Sequence, residues 1–341
     1  MKQFLKYFSI FCIPFILFIL FYIWTDVFKV VQHHDRYYTD SDIVWINRAY
    51  GSTMTYINQN PQYNYDSFIF GNSRSLYYET DTWEKYLPKG CSCFHFDESE
   101  GSVKGVRDKV VYIDKTGGRI NNVLLVLDCD LLSKLCQDDS YFLFISPPAL
   151  VDNENYYVFQ KQHFMAFSEI RFQKAFVGYK LFGEYRPYMD EVLMNPHYKD
   201  SYINPKTNEF QKIVIEGEIN KGVYYNAERI SAFINYQKPE TISSQLLDAP
   251  KILYLKEIRD IFRKHHSSYK IVISPLYDQV KLNRKSLSIL FQIFGKENIY
   301  DFSGESKWSK DYHNYYEISH YRPVVSAEIM DIIYSKSQPS K

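Results

Sequence analysis

The chain has 341 residues and a formal net charge of zero. That length supports a sizeable core, and a neutral chain with no long basic run argues against a nucleic-acid binder, which needs a basic face. Its 32 tyrosines and 25 phenylalanines suit core packing first and sugar-facing surfaces second.

No charge occurs between Tyr7 and Thr25, a window near the ~20 residues that cross a bilayer. Lys2 and Lys6 precede it and Asp26 follows, a bias that places the N-terminus in the cytoplasm and the remainder outside. Thr25-Asp26-Val27-Phe28 offers no small-x-small cleavage site, so an uncleaved anchor over residues 1–26 is expected rather than a removed signal peptide. The five cysteines include Cys12 in the anchor and show neither a CxxC pair nor zinc spacing. No cofactor and no metal are expected.

Residues 27–64 read as a juxtamembrane segment with a helix capped by Ser41 or Asp42 and carrying Ile43, Ile46 and Tyr50 on one face. An alternating pattern then runs over residues 65–335. Residues 65–71 (YDSFIFG) and 91–97 (CSCFHFD) read as buried strands. Residues 103–115 read as a helix ended by Gly117-Gly118. Residues 122–128 (NVLLVLD) are a continuous apolar run, as expected of a strand covered on both faces. Helix 250–265, strand 269–274, helix 281–294, strand 298–302 and helix 323–334 complete the pattern. It predicts an α/β domain with a mostly parallel five-stranded sheet and right-handed crossovers. Residues 147–248, between the third and fourth strands, are too long for a plain loop and are expected to form a cap or insertion.

Sites in open parallel sheets lie beyond the carboxyl ends of the strands. After the first strand comes Gly71-Asn72-Ser73-Arg74-Ser75, which sets Ser73 at a helix start among free backbone N–H groups. Taken alone, such a serine is more often a cap than a nucleophile. Before the last helix comes Glu317-Ile318-Ser319-His320. There a carboxylate can hold an imidazole in the tautomer that accepts a serine proton, although a lone Glu-x-x-His is usually a surface pair.

In this order, the two motifs resemble the SGNH (GDSL-like) hydrolase superfamily. Gly71-Asn72-Ser73-Arg74-Ser75 is similar to its Gly-Asp-Ser-x-Ser block, and Glu317-x-x-His320 to its Asp-x-x-His block. Gly101, in Glu98-Ser99-Glu100-Gly101-Ser102, stands where the family's oxyanion glycine is found. The resemblance implies a flavodoxin-like three-layer fold, a Ser73-His320-Glu317 triad, and an oxyanion hole from the N–H groups of Ser73 and Gly101. Three departures stand out. Glu317 replaces the triad Asp, which is chemically conservative. Asn72 replaces the first-block Asp. The Gly-x-Asn-Asp block is missing, and the chain reads Leu127-Asp128-Cys129-Asp130 instead. An ionised Asp cannot donate the hydrogen bond that the family's Asn supplies. Arg74 is a candidate donor by adjacency, and Asp130 an accessory residue beside it.

The anchor makes the chain similar to membrane-tethered members that modify cell envelopes. These are the D-alanine transfer protein of teichoic acids and the alginate acetylation proteins, which work alongside a membrane-bound acyltransferase. This implies a single-pass protein with an exocytoplasmic domain that acts as an esterase or O-acyltransferase on a glycan or related acyl ester. The alternative is a catalytically degenerate binding or assembly protein on the same fold. His313, in Asp311-x-His313, is the rival base because the alginate-type proteins use that spacing. His33, His34, His95, His163, His197, His265 and His266 read as surface or packing residues.

Overall fold

A computed structural model describes residues 1–39, 41–136, 140–195 and 201–335. His197 lies outside the described residues. Helix α1 (Lys2–Thr25) comes first and is long and apolar enough to cross a membrane. Helix α2 (Arg48–Tyr63) follows, then β1 (Ser67–Gly71), β2 (Cys93–Asp97), α3 (Val103–Lys115) and β3 (Asn122–Leu127). A helical hairpin, α4 (Tyr156–Ser168) and α5 (Ile170–Phe182), lies in the long segment after β3. The chain returns to the sheet through α6 (Ala249–Lys264), β4 (Ser268–Ile273), α7 (Arg284–Phe294) and β5 (Ile299–Asp301). A short antiparallel pair, β6 (Tyr315–Glu317) and β7 (His320–Tyr321), precedes the final helix α8 (Pro323–Ser335).

The central sheet has the order β2-β1-β3-β4-β5, and every pairing in it is parallel. Alternate side chains go to opposite faces, and both faces are buried. Phe68, Phe70, Phe94, Phe96, Leu125 and Ile271 pack with residues of α2, α3, α6 and α7. Ile69, Leu124, Val126 and Val272 pack instead with α8, Trp83 and a tyrosine cluster. Two-sided cover is why these strands read as unbroken apolar runs. Each fully buried Phe or Leu there contributes roughly 1.5–3 kcal/mol relative to exposure. Part of the tyrosine reading resolves the same way: Tyr56, Tyr65, Tyr77, Tyr78, Tyr315, Tyr316 and Tyr321 are all buried.

The chain leaves β1 for one side, to β2, and returns past β1 to β3 on the other. A crevice for ligands forms where strand order reverses in this way, so the carboxyl ends of β1 and β3 position the candidate site.

The first helix of the domain differs from expectation. Neither Ser41 nor Asp42 caps it. Asp42 instead accepts from the Thr39 N–H at 2.8 Å and pairs with Lys29 at 2.7 Å. The cap is Asn47, whose side-chain oxygen accepts from the Tyr50 N–H at 2.9 Å. The Asn47 amide nitrogen is fixed in turn by the carbonyls of Phe142 and Ile145, at 2.8 and 2.9 Å. Ile43 and Ile46 lie outside the helix, yet both are buried in an aromatic cluster with the end of α1. A second shift is at residues 281–283. Val280 and Lys281 pair with Thr241 and Ile242 in a short parallel bridge, so α7 begins only at Arg284.

Candidate active site

The turn that carries Ser73 follows from close packing at the end of β1. A Cβ on Gly71 would come within 2.7 Å of the Val126 carbonyl and 2.8 Å of the Ser75 side chain. Only glycine lets β1 end this close to β3. Asn72 then caps a short 3-10 turn, Ser73–Tyr77, accepting from the Arg74 N–H at 3.0 Å. With Asn72 as the cap, the Ser73 hydroxyl is not consumed in that role. The turn is braced from below: the Ser75 hydroxyl donates to the Asn72 carbonyl at 2.7 Å and meets His95 Nε2 at 3.1 Å. Burial pushes the His95 pKa down to about 4, so its ring is neutral; because the Ser75 proton goes to the Asn72 carbonyl, the hydrogen in the Ser75–His95 contact comes from Nε2.

Ser73 Oγ lies 2.8 Å from His320 Nε2. Nδ1 of the same ring is hydrogen-bonded to Glu317 Oε1. With the Nδ1 proton directed to the carboxylate, Nε2 is left to accept from the serine. Glu317 and His320 face each other across the tight turn between β6 and β7. Glu317 Oε2 also accepts from the Ser319 N–H at 2.7 Å. Burial raises the Glu317 pKa, but the bonds from His320 and Ser319 outweigh it and hold the carboxyl below the usual carboxylate range. Glu317 is therefore an anion at neutral pH. Tyr77 sets its ring edge-on to His320, with centroids 5.8 Å apart. All three triad side chains are partly accessible.

The rival base is elsewhere. His313 is exposed and bonds Asp311 at 2.7 Å, but the imidazole on Ser73 belongs to His320. Gly101 is buried against Asn72: a Cβ there would lie 2.9 Å from both the Asn72 Cβ and the Glu98 Cγ. This puts its backbone beside the Ser73 turn. Arg74 reaches Asp130 at 2.5 Å and the Ser319 carbonyl at 3.3 Å, with Asp128 3.6 Å from Nη1. Its guanidinium thus ties the serine turn to the histidine turn, and Asp130 is the exposed end of that link.

Sequence reasoning missed three supporting elements. Asp128 accepts from the Asn72 amide at 2.7 Å and from the Leu131 N–H at 2.8 Å. The Asn72 and Asp128 positions are thus bonded partners across the β1–β3 crevice. Glu98, buried, accepts from the Ser102 N–H at 2.9 Å and pairs with buried Lys109, shaping the loop that holds Gly101. Glu216, from the long segment after β3, binds Arg322 at 3.0 and 2.6 Å and accepts from the Tyr316 hydroxyl at 2.7 Å. It locks that segment to both sides of the histidine turn. No local pattern marked Glu98 or Glu216, and Asp128 stood out only as a departure from the third block of the family it resembles.

No family model and no curated protein matches this chain.

Proposed function

We propose that this chain is a membrane-anchored, SGNH-type acyl esterase or O-acyltransferase acting on a cell-envelope glycan or related acyl ester. The single observation that carries the reading is the Ser73 Oγ to His320 Nε2 contact at 2.8 Å, with Glu317 on the other ring nitrogen. The flavodoxin-like strand order and the seating of Ser73 at the reversal point support the superfamily assignment. The apolar α1 supports a single-pass protein, its N-terminus cytoplasmic by the Lys2 and Lys6 bias.

The chemistry balances as acyl transfer. His320 takes the Ser73 proton as Oγ bonds to the acyl carbon. The carbonyl oxygen becomes an oxyanion held by the N–H groups of Ser73 and Gly101. The bond to the leaving alkoxide breaks, and His320 returns the proton to it. Water or a glycan hydroxyl then attacks the acyl-serine, its proton passing to His320; the bond from the acyl carbon to Oγ breaks, and His320 hands that proton to the departing Ser73 Oγ. Glu317 stays ionised and steadies the imidazolium. In the glycan-transfer version, a membrane-bound acyltransferase supplies the acyl group.

One observation favours the alternative of a non-catalytic binding or assembly protein. Asp128 stands where the family has its side-chain donor, and its carboxylate accepts from Asn72 and Leu131 instead. Loss of one oxyanion donor costs about 10²–10³ in rate in a well-studied case, so slow turnover fits the enzyme reading. The test is hydrolysis of short-chain aryl esters by the purified full-length chain. A burst of one aryl alcohol per chain followed by slower release is expected. A folded chain giving neither burst nor turnover would favour the binding reading.

A further inference from the structure

The end of α1 is built into the domain rather than tethered to it. Asp26, at its C-terminus, accepts from the backbone N–H groups of Val30, Val31 and Gln32 at 2.9, 3.0 and 2.8 Å, and meets His34 Nε2 at 2.8 Å. Gln160 at the start of the α4–α5 hairpin donates to the Val30 carbonyl at 2.8 Å. The hairpin then packs along α1 itself. Phe18 contacts Phe164 and Phe167, with centroids 6.0 and 5.5 Å apart, and Phe21 contacts Phe167 and Phe176 at 5.7 and 6.3 Å.

These contacts fix a depth. Phe18 lies seven residues before the helix end at Thr25, about 10 Å along the axis at 1.5 Å per residue. Were the hairpin wholly in water, only residues 7–17 of the uncharged window would remain in the bilayer. That stretch gives about 16 Å, against a hydrocarbon core of about 30 Å. An α1 that spans therefore carries the hairpin into the leaflet at its C-terminal end.

The hairpin's surface suits that place. Met165, Ile170, Leu181 and Phe182 are exposed, Ile170 at 85% and Phe182 at 70%. Such side chains are costly in water and favourable among acyl chains. Between Tyr156 and Phe182 the charges are Lys161, Arg171, Lys174 and Lys180 against Glu169 alone. A basic, apolar surface of this kind favours anionic headgroups.

We propose that the α4–α5 hairpin is a second membrane element, embedded in the leaflet around the C-terminal end of α1 and in contact with anionic phospholipid. It holds the domain at a fixed height and tilt, with the Ser73 site presented at constant distance from the bilayer. The inference rests on α1 spanning the membrane, as read under Proposed function, and not on the triad being active.

The test uses the full-length chain in nanodiscs of phosphatidylcholine and phosphatidylglycerol containing a phospholipid with a diazirine in its acyl chain. After illumination, lipid adducts are mapped by peptide mass spectrometry. Adducts are expected on α1 and on the peptides holding Met165, Ile170, Leu181 and Phe182. In an Ile170→Glu, Leu181→Glu, Phe182→Glu variant, whose three changes are all at exposed positions, the hairpin adducts should fall to background while α1 stays labelled. Adducts on α1 as far as Trp24 with none on the wild-type hairpin would overturn the inference and leave the span standing. So would hairpin adducts that persist in the variant. No adducts on α1 would remove the span itself and the inference with it. In native membranes, a photo-crosslinker at residue 170 that captures protein and no lipid would assign this face to a protein partner and overturn the lipid assignment.

Discussion

Replacing Ser73 with alanine is expected to lower acyl-ester turnover by about 10⁴-fold or more, and His320→Ala should match it, because nucleophile and base act as one unit. Neither change should unfold the chain. Ser73 is partly exposed and does not cap its own turn, since Asn72 does. Glu317→Gln keeps an oxygen for the Ser319 N–H but offers the ring a neutral amide, which neither steadies the imidazolium nor fixes its tautomer. A loss of about 10²–10⁴-fold is expected there. His313→Ala should change turnover by less than about twofold, because His313 bonds Asp311 and not the serine. Steady-state kinetics on the four variants, with unfolding midpoints alongside, separates these roles. Equal activity of wild type and Ser73→Ala, or a collapse on His313→Ala, would contradict the assignment.

The largest stability effect is expected at Lys109. Its ammonium and the Glu98 carboxylate are both essentially excluded from water and paired. The ammonium also lies 5.7 Å from the Phe96 ring centroid. Lys109→Met fills similar volume but strands a buried carboxylate, at a cost of about 3–5 kcal/mol. For a domain of this size that lowers the midpoint by roughly 5–9 °C. Adding Glu98→Gln should restore most of the loss, because the amide oxygen still accepts from the Ser102 N–H and no charge is left unpaired. Glu98 also packs against Gly101 and Gly105, so turnover by the single variant should fall along with its stability. Thermal unfolding followed by circular dichroism checks the first part. A shift of less than about 2 °C would contradict the role given to the buried pair.

The sheet was legible because burial of both strand faces writes itself into sequence as an apolar run. The segment ending in Leu127 needed no partner to be read. The two halves of the candidate Ser73-His320-Glu317 arrangement were legible for a different reason. Each is local, a glycine turn after one strand and an acid three residues before a histidine, and chain order linked them. What resisted reading is non-local. Asn47 caps α2 in place because carbonyls about 95 residues further on hold its amide, and nothing near Asn47 in the chain announces that. Glu98 and Lys109 each look like solvated charges on a loop and a helix, and only the fold brings them together in a dry place. Asn72 and Asp128 look like two separate departures from a family pattern until the sheet sets β1 beside β3 and the amide meets the carboxylate at 2.7 Å. The α4–α5 hairpin carries aromatic residues on several sides, so its periodicity conceals that one side meets α1 and another is exposed.

The most direct test of the central claim is covalent capture of the serine. The folded full-length chain is treated with a fluorophosphonate, and the modified peptide is identified by mass spectrometry. The activated-serine account predicts one adduct per chain, on Ser73, absent from Ser73→Ala and strongly slowed in His320→Ala. A folded chain that stays unlabelled, or carries its adduct on another serine, would contradict it.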